Sequence, residues 1–154
     1  MKVFLCVVTL ILGITFSSEA QTTTLRTKNL NLEDGLALEG YDPVAYIAQK
    51  KAVGGKSNLT YVHEGVTYRF STQQNLDTFK KNPAQYEPMY GGWCAFAMGN
   101  DGEKVEVDPE TFKVVNGKLY LFYNKYFNNT LTKWDKDEPA LMKKADTNWK
   151  KFFN

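Results

Sequence analysis

A single histidine, two cysteines, little net charge and no apolar run of membrane-spanning length restrict what this 154-residue chain can do. A zinc site normally takes four nitrogen, sulfur or oxygen ligands, and His63, Cys6 and Cys94 are a poor supply. Nucleic-acid binding usually needs a concentrated basic face, which a formal charge of +2 does not provide. The only long apolar stretch, Val3 to Phe16, falls short of the ~20 residues that cross a bilayer. No phosphate-cradling loop, serine-nucleophile motif or general acid/base pair is recognisable. The length suits one domain rather than two.

What is present begins with a secretory pattern. Lys2 precedes the uncharged run, and Ser18-Glu19-Ala20 fits a small-x-small cleavage site, so residues 1–20 read as a signal peptide cut between Ala20 and Gln21. The mature chain would be exported, periplasmic or secreted, with no stable membrane span. It would retain only Cys94, so no internal disulfide can staple it. Its stability must come from an aromatic-rich core, since Phe, Tyr and Trp each bury large areas. Asn58-Leu59-Thr60 and Asn128-Asn129-Thr130 match the glycosylation pattern, relevant only in a glycosylating pathway.

Along the chain, residues 21–35 read as a flexible leader, polar and threonine-rich to about Asn31. Residues 36–154 read as one folded domain. Asp42-Pro43 predicts a capped helix start running to about Gln49. Leu59 to Phe70 predicts a hairpin turning at Glu64-Gly65, with His63 opposite Val66, Tyr61 opposite Tyr68 and Leu59 opposite Phe70. Ser71 and Gln74 form a candidate capping box for a helix carrying Leu76 and Phe79. Val105 and Val107 alternate with charged residues as in a strand, and Asp108-Pro109 reads as a turn. Asn116-Gly117 suits the type I′ turn of a second hairpin, Phe112 to Phe122. Phe127, Leu131 and Trp134 fit a helical stripe. Asp137 then caps a last helix bearing Leu141, Ala145, Trp149 and Phe152. The predicted class is α+β, antiparallel hairpins covered by short helices.

Several motifs in order carry a family resemblance. Gly40-Tyr41-Asp42-Pro43-Val44-Ala45-Tyr46, Gly65-Val66-Thr67-Tyr68-Arg69-Phe70-Ser71, and then Asn75, Phe79, Pro83 and Tyr86 resemble the YHS domain. Tyr90-Gly91-Gly92-Trp93-Cys94-Ala95-Phe96-Ala97-Met98, Asp108-Pro109 and Val115 to Tyr120 look like a longer, exported subgroup of that family. The resemblance implies a hairpin followed by a capped helix, over roughly residues 36 to 150. In cysteine-bearing members it also implies metal handling, with thiolates after Asp-Pro-Val and around the hairpin–helix junction. Those positions are Ala45, Phe70 or Ser71, and Asn75 here, so this chain lacks the family's thiolates.

The residues themselves offer one soft-ligand set. Met89, Cys94 and Met98 carry sulfurs that favour Cu(I), making copper the candidate cofactor, although methionine and unpaired cysteine are also ordinary core residues. Tyr41, Tyr90, Trp93 and Cys94 are candidate ligand-binding residues in an aromatic pocket, with core packing as the alternative. Gly91-Gly92 either admits a close approach or makes a tight turn. The leading expectation is a non-enzymatic binding domain for a soft metal ion or small ligand. The alternatives are a thiol-dependent enzyme pairing Cys94 with His63 and a partner-binding accessory protein.

Overall fold

Helix α1 (Ser17–Asn29) opens the part of the chain that the computed structural model describes, residues 17–153. The apolar run read as the body of a signal peptide lies outside the described residues, as does Cys6. The Ala20–Gln21 junction lies within α1. The segment expected to be an extended leader is therefore helical. Threonine is a mediocre helix former, and tertiary contacts supply what propensity does not. Arg26 pairs with Glu87, and the Asn29 side-chain amide donates to the Phe152 carbonyl at 2.9 Å.

The fold is α+β. Strands β1 (Leu32–Glu33) and β2 (Leu36–Ala37) make a minimal hairpin, followed by a 3-10 turn at Leu38–Gly40. Helix α2 (Pro43–Gln49) begins at Asp42, whose carboxylate accepts from the Val44 and Ala45 amides, as expected of a capping aspartate before proline. Strands β3 (Lys56–His63) and β4 (Val66–Phe70) complete a four-stranded sheet of order β1-β2-β4-β3, in which β2 and β4 run parallel. The β3–β4 register places His63 opposite Val66 and Tyr61 opposite Tyr68, as predicted. It then shifts, so that Lys56 rather than Leu59 faces Phe70. Val66, Tyr68 and Phe70 bury one face of the sheet.

Helix α3 (Gln73–Lys81) is capped by Thr72, whose hydroxyl accepts from the Asn75 amide at 3.1 Å. The predicted Ser71 cap is displaced because the Ser71 hydroxyl donates to the Asp42 carboxylate at 2.6 Å. A hydrogen bond to a charged acceptor outcompetes one to a neutral partner. One turn, α4 (Pro83–Tyr86), leads through a 3-10 segment at Met89–Gly92 into α5 (Ala95–Asn100).

Residues 102–107 form no strand, against the alternation of Val105 and Val107. The Val105 carbonyl instead accepts a single bond from the Cys94 amide at 2.9 Å. Asp108-Pro109, expected to turn the chain, begins strand β5 (Asp108–Val115), which pairs with β6 (Lys118–Phe122) across Asn116-Gly117. A two-residue-per-strand hairpin, β7 (Asn124–Lys125) and β8 (Asn128–Asn129), then precedes the single turn α6 (Leu131–Trp134). Phe127 stands at the tip of that hairpin and not on a helical stripe with Leu131 and Trp134.

Helix α7 (Glu138–Lys150) and a last 3-10 turn, Lys151–Phe153, close the fold. Asp137 occupies the cap position without a side-chain cap bond. Gly99 lets α5 cross α7 closely, since a Cβ there would stand 2.6 Å from the Leu141 carbonyl oxygen. Two clusters make the core. One joins Tyr46, Phe70, Phe79, Cys94 and Leu121, and the other gathers Tyr90, Met98, Phe122 and Trp134 under α7. No helix among the described residues is long and apolar enough to cross a membrane.

Candidate functional site

The aromatic region predicted around positions 90–94 borders a cavity of about 420 Å³. Its floor is the Met89–Gly92 turn, where Tyr90, Gly91 and Gly92 hold φ of 54°, 62° and 86° in succession. Left-handed backbone is what glycine tolerates without strain. Gly91 is further constrained by its neighbours. A Cβ there would lie 2.6 Å from Leu30 Cδ2 and 2.8 Å from the Trp149 ring. Both readings of the Gly-Gly pair therefore apply, the tight turn and the close approach, and the approaching groups are side chains from the two ends of the described chain. Leu25 of α1 and Leu30 just past its end, with Trp149 of α7 and Phe153 of the last 3-10 turn, form the apolar walls.

One end of the cavity is polar. Arg26 pairs with Glu87, and its Nε lies 3.2 Å from Glu64 Oε2. The Tyr68 hydroxyl donates to Glu87 Oε1 at 2.8 Å. Burial, with the Glu87 carboxylate beside it, pushes the Tyr68 phenol well above its ordinary range, so Tyr68 stays a proton donor at any physiological pH. Burial alone would lower the Arg26 pKa, and Glu87, Tyr68 and Glu64 together more than offset this, raising it and holding the guanidinium charged. Two carboxylates against one guanidinium leave this end with one excess negative charge.

The predicted residues take different places. Tyr90 is fully buried beneath the cavity, its hydroxyl donating to Asp146 Oδ1 at 3.0 Å. Trp93 donates its indole N–H to the Asn29 carbonyl at 2.7 Å, tying the site to α1. Tyr41 lies elsewhere, its hydroxyl 3.1 Å from Glu110 Oε1 and its ring against Tyr46. Cys94 has no exposed surface. Its sulfur accepts from the Tyr123 amide at 3.4 Å and lies 3.4 Å from the Thr130 hydroxyl.

The three sulfur-bearing residues are divided between the two core clusters. Cys94 packs in the first core cluster, whereas Met98 is buried in the second and Met89 packs against that second cluster. Four-residue spacing would align Cys94 and Met98 on one helical face. Cys94, however, precedes α5 with an extended ψ of 115°, which turns its side chain away from that face. Among the described residues, no group of three or more His, Cys, Asp or Glu side chains converges to hold a metal. His63 sits against Tyr61 and Phe79, with Nε2 3.9 Å from Glu64 Oε1, and is not a partner of the Cys94 sulfur. A buried, hydrogen-bonded thiol should resist alkylation. Peptide mapping at Cys94 is expected to show modification at least roughly a hundredfold slower in the native chain than in denaturant. Rapid native labelling would show that the thiol is accessible.

No family model, no curated protein and no solved structure matches this chain. The site is therefore read from its own geometry. Arg26, Leu25 and Leu30 were missed at the sequence level because they lie in the stretch read as leader. Glu87 precedes Pro88 with no local signal of its pairing with Arg26, 61 residues away in the chain. Trp149 was assigned to core packing, and it does pack there as well as facing the cavity.

Proposed function

We propose that this chain is an exported, non-enzymatic binding domain of YHS type that holds one small, largely apolar molecule with a hydrogen-bond-donating end. The observation that carries the reading is the cavity of about 420 Å³ between α1, the Met89–Gly92 turn and the C-terminal helix. Ligand sites are typically concave, mostly apolar and provided with a few placed polar groups. Leu25, Leu30, Trp149 and Phe153 would take the apolar body. Glu87, with the excess negative charge at its end of the cavity, would accept from a hydroxyl or amine. Cys94 packs in a different core cluster from Met98 and Met89, which supports the small-molecule branch of the binding expectation over copper. The burial of Cys94 and its separation from His63 in the contact pattern likewise favour binding over thiol chemistry.

Native mass spectrometry of the chain recovered from cells that export it provides the test. The expected result is a polypeptide beginning at Gln21 with one non-covalent organic adduct, released by solvent extraction. Leu25→Trp, at a position 40% exposed and on the cavity wall, should fill the space and abolish the adduct without loss of fold. If no adduct is found and no apolar amine or alcohol raises the unfolding temperature, the binding reading fails. A mass shift with Cu(I) under reducing conditions would restore the soft-metal alternative.

A further inference from the structure

Five large apolar or aromatic side chains are exposed among the described residues, and four of them fall in two places of opposite shape. Leu25 and Phe153, 40% and 41% exposed, stand on the walls of the cavity of about 420 Å³. Tyr126 and Phe127, 89% and 110% exposed, form the tip of the β7–β8 hairpin. Val62 in β3 is the fifth. The tip stands clear of the body, since Lys125 to Asn128 are exposed in succession. Phe127, wholly in solvent, does not reach the cavity of its own chain.

The tip is also strained. Tyr126 and Phe127 hold φ of 53° and 61°, the left-handed pair of a type I′ turn, where a Cβ is disfavoured and Asn-Gly is a usual sequence. The chain itself uses Asn116-Gly117 in that role between β5 and β6. The base of the tip hairpin is held in place. The Asn124 side-chain amide donates to the Thr111 hydroxyl at 2.9 Å, and the Thr130 amide and hydroxyl both donate to the Tyr123 carbonyl at 2.9 Å. A fixed frame thus keeps two rings in water at a cost to the backbone. Strain that persists in such a frame tends to mark function rather than fold.

We propose that the Tyr126–Phe127 tip of one copy of this chain enters the cavity of a second copy, a head-to-tail contact that a small molecule in the cavity blocks. The proposal rests on reading the cavity as a binding site, and it makes occupancy of that site the control of self-association. Size, walls and polar end all match the tip. A dry apolar cavity of about 150 Å³ holds one benzene ring, so about 420 Å³ has room for two rings. Leu25, Leu30, Trp149 and Phe153 present apolar and aromatic faces on which such rings pack. At the polar end, Glu87 Oε1 takes both Arg26 and the Tyr68 hydroxyl, and among the described residues no donor reaches Oε2. That oxygen is an open acceptor in a region of excess negative charge, and the Tyr126 hydroxyl is a donor at the end of an apolar ring. Asn-Gly at the tip would relieve the turn and offer the cavity nothing apolar. Two aromatic side chains bury about 150–250 Å² each, with a comparable area on the cavity side. The sum falls short of the ~1,200 Å² of a stable interface, so the contact is transient. Tip and cavity are different surfaces, so the contact is heterologous and leaves one tip and one cavity free for further copies.

The experiment is sedimentation equilibrium of the exported chain, refolded from denaturant and shown by native mass spectrometry to carry no adduct. Wild type should self-associate, with half-saturation at roughly 0.1–1 mM. The double variant Tyr126→Asn, Phe127→Gly removes the tip, and Leu25→Trp fills the cavity. Each should weaken association at least roughly tenfold. Mixing the two variants lets one intact tip meet one intact cavity, so association should return as a 1:1 complex that grows no further. The tip variant's unfolding temperature should stay level or rise by about 2–6 °C, because it installs the turn residues the geometry favours. Absence of wild-type association, undiminished association of either variant, a mixture that stays monomeric, or a lower unfolding temperature for the tip variant would each overturn the proposal. So would tip-dependent binding to vesicles or to another protein without self-association. An adduct on the freshly exported chain with no association once it is removed sinks this proposal and leaves the small-molecule reading intact. Association of a chain that never carries or responds to a small molecule does the reverse.

Discussion

Replacing Asp42 by alanine is expected to cost the fold about 4 kcal/mol or more, enough to leave a domain of this size barely folded. The carboxylate has no exposed surface and accepts five hydrogen bonds. Oδ1 takes the Val44 and Ala45 amides at 2.9 and 3.3 Å, satisfying the start of α2. Oδ2 takes the Ser71 amide, the Ser71 hydroxyl and the Asn75 side-chain amide at 2.7, 2.6 and 2.7 Å. Alanine would strand these donors in the interior, where each unsatisfied group costs roughly 1–3 kcal/mol and cavity water can recover only part of it. Asp42→Asn is expected to be nearly as damaging, at about 3 kcal/mol. It keeps one oxygen but points an NH₂ at N–H donors that have no lone pair to offer, only the Ser71 hydroxyl being able to turn and accept. Denaturant unfolding checks both, with the midpoint falling and the slope unchanged. A loss below about 1 kcal/mol for Asp42→Ala would mean that the hub is dispensable.

That hub shows how far the sequence could be read. The Asp-Pro start of α2 was legible because a cap is a local bond, fixed by neighbours in the chain. The partners of Oδ2 were not, since Ser71 and Asn75 are brought in from the β4–α3 junction, and Ser71 presented a convincing local alternative as a cap. Asn116-Gly117 was legible for the same local reason, and so was the hydrophobic face of α7. The failures share one cause, which is tertiary structure overruling a local pattern. Threonines argued against a helix at residues 21–29, but the Arg26–Glu87 pair and the Asn29 bonds to Phe152 and Lys104 hold one there. Val105 and Val107 alternated like a strand and found no strand to pair with. Phe127 fell four residues before Leu131, as on a helix, yet the chain reverses at Tyr126–Phe127. At the candidate site, Tyr90, Trp93 and the Gly-Gly pair could be found from composition. The walls could not, because they come from the two ends of the described chain and meet only after folding.

Gly91→Ala tests that meeting of the ends and is expected to destabilise the fold by about 2–3 kcal/mol while narrowing the cavity. Two separable terms contribute. At a φ of 62°, alanine costs roughly 1 kcal/mol whatever surrounds it. The remainder is steric, because the new methyl would sit 2.6 Å from Leu30 Cδ2 and 2.8 Å from Trp149. A double-mutant cycle with Leu30→Ala divides them. Leu30→Ala alone removes the apolar contact that the residue just past α1 makes with the turn, and combined with Gly91→Ala it frees room for the methyl. The pair should therefore cost less than the sum of the single changes by at least about 0.5–1 kcal/mol, leaving the backbone strain behind. Additive effects would show that Leu30 does not lean on Gly91, and with that the Leu30 part of the cavity wall would be lost. Because Leu30 directly follows α1, which carries Arg26, the same result would separate the polar end from its apolar neighbours and dissolve the proposed site.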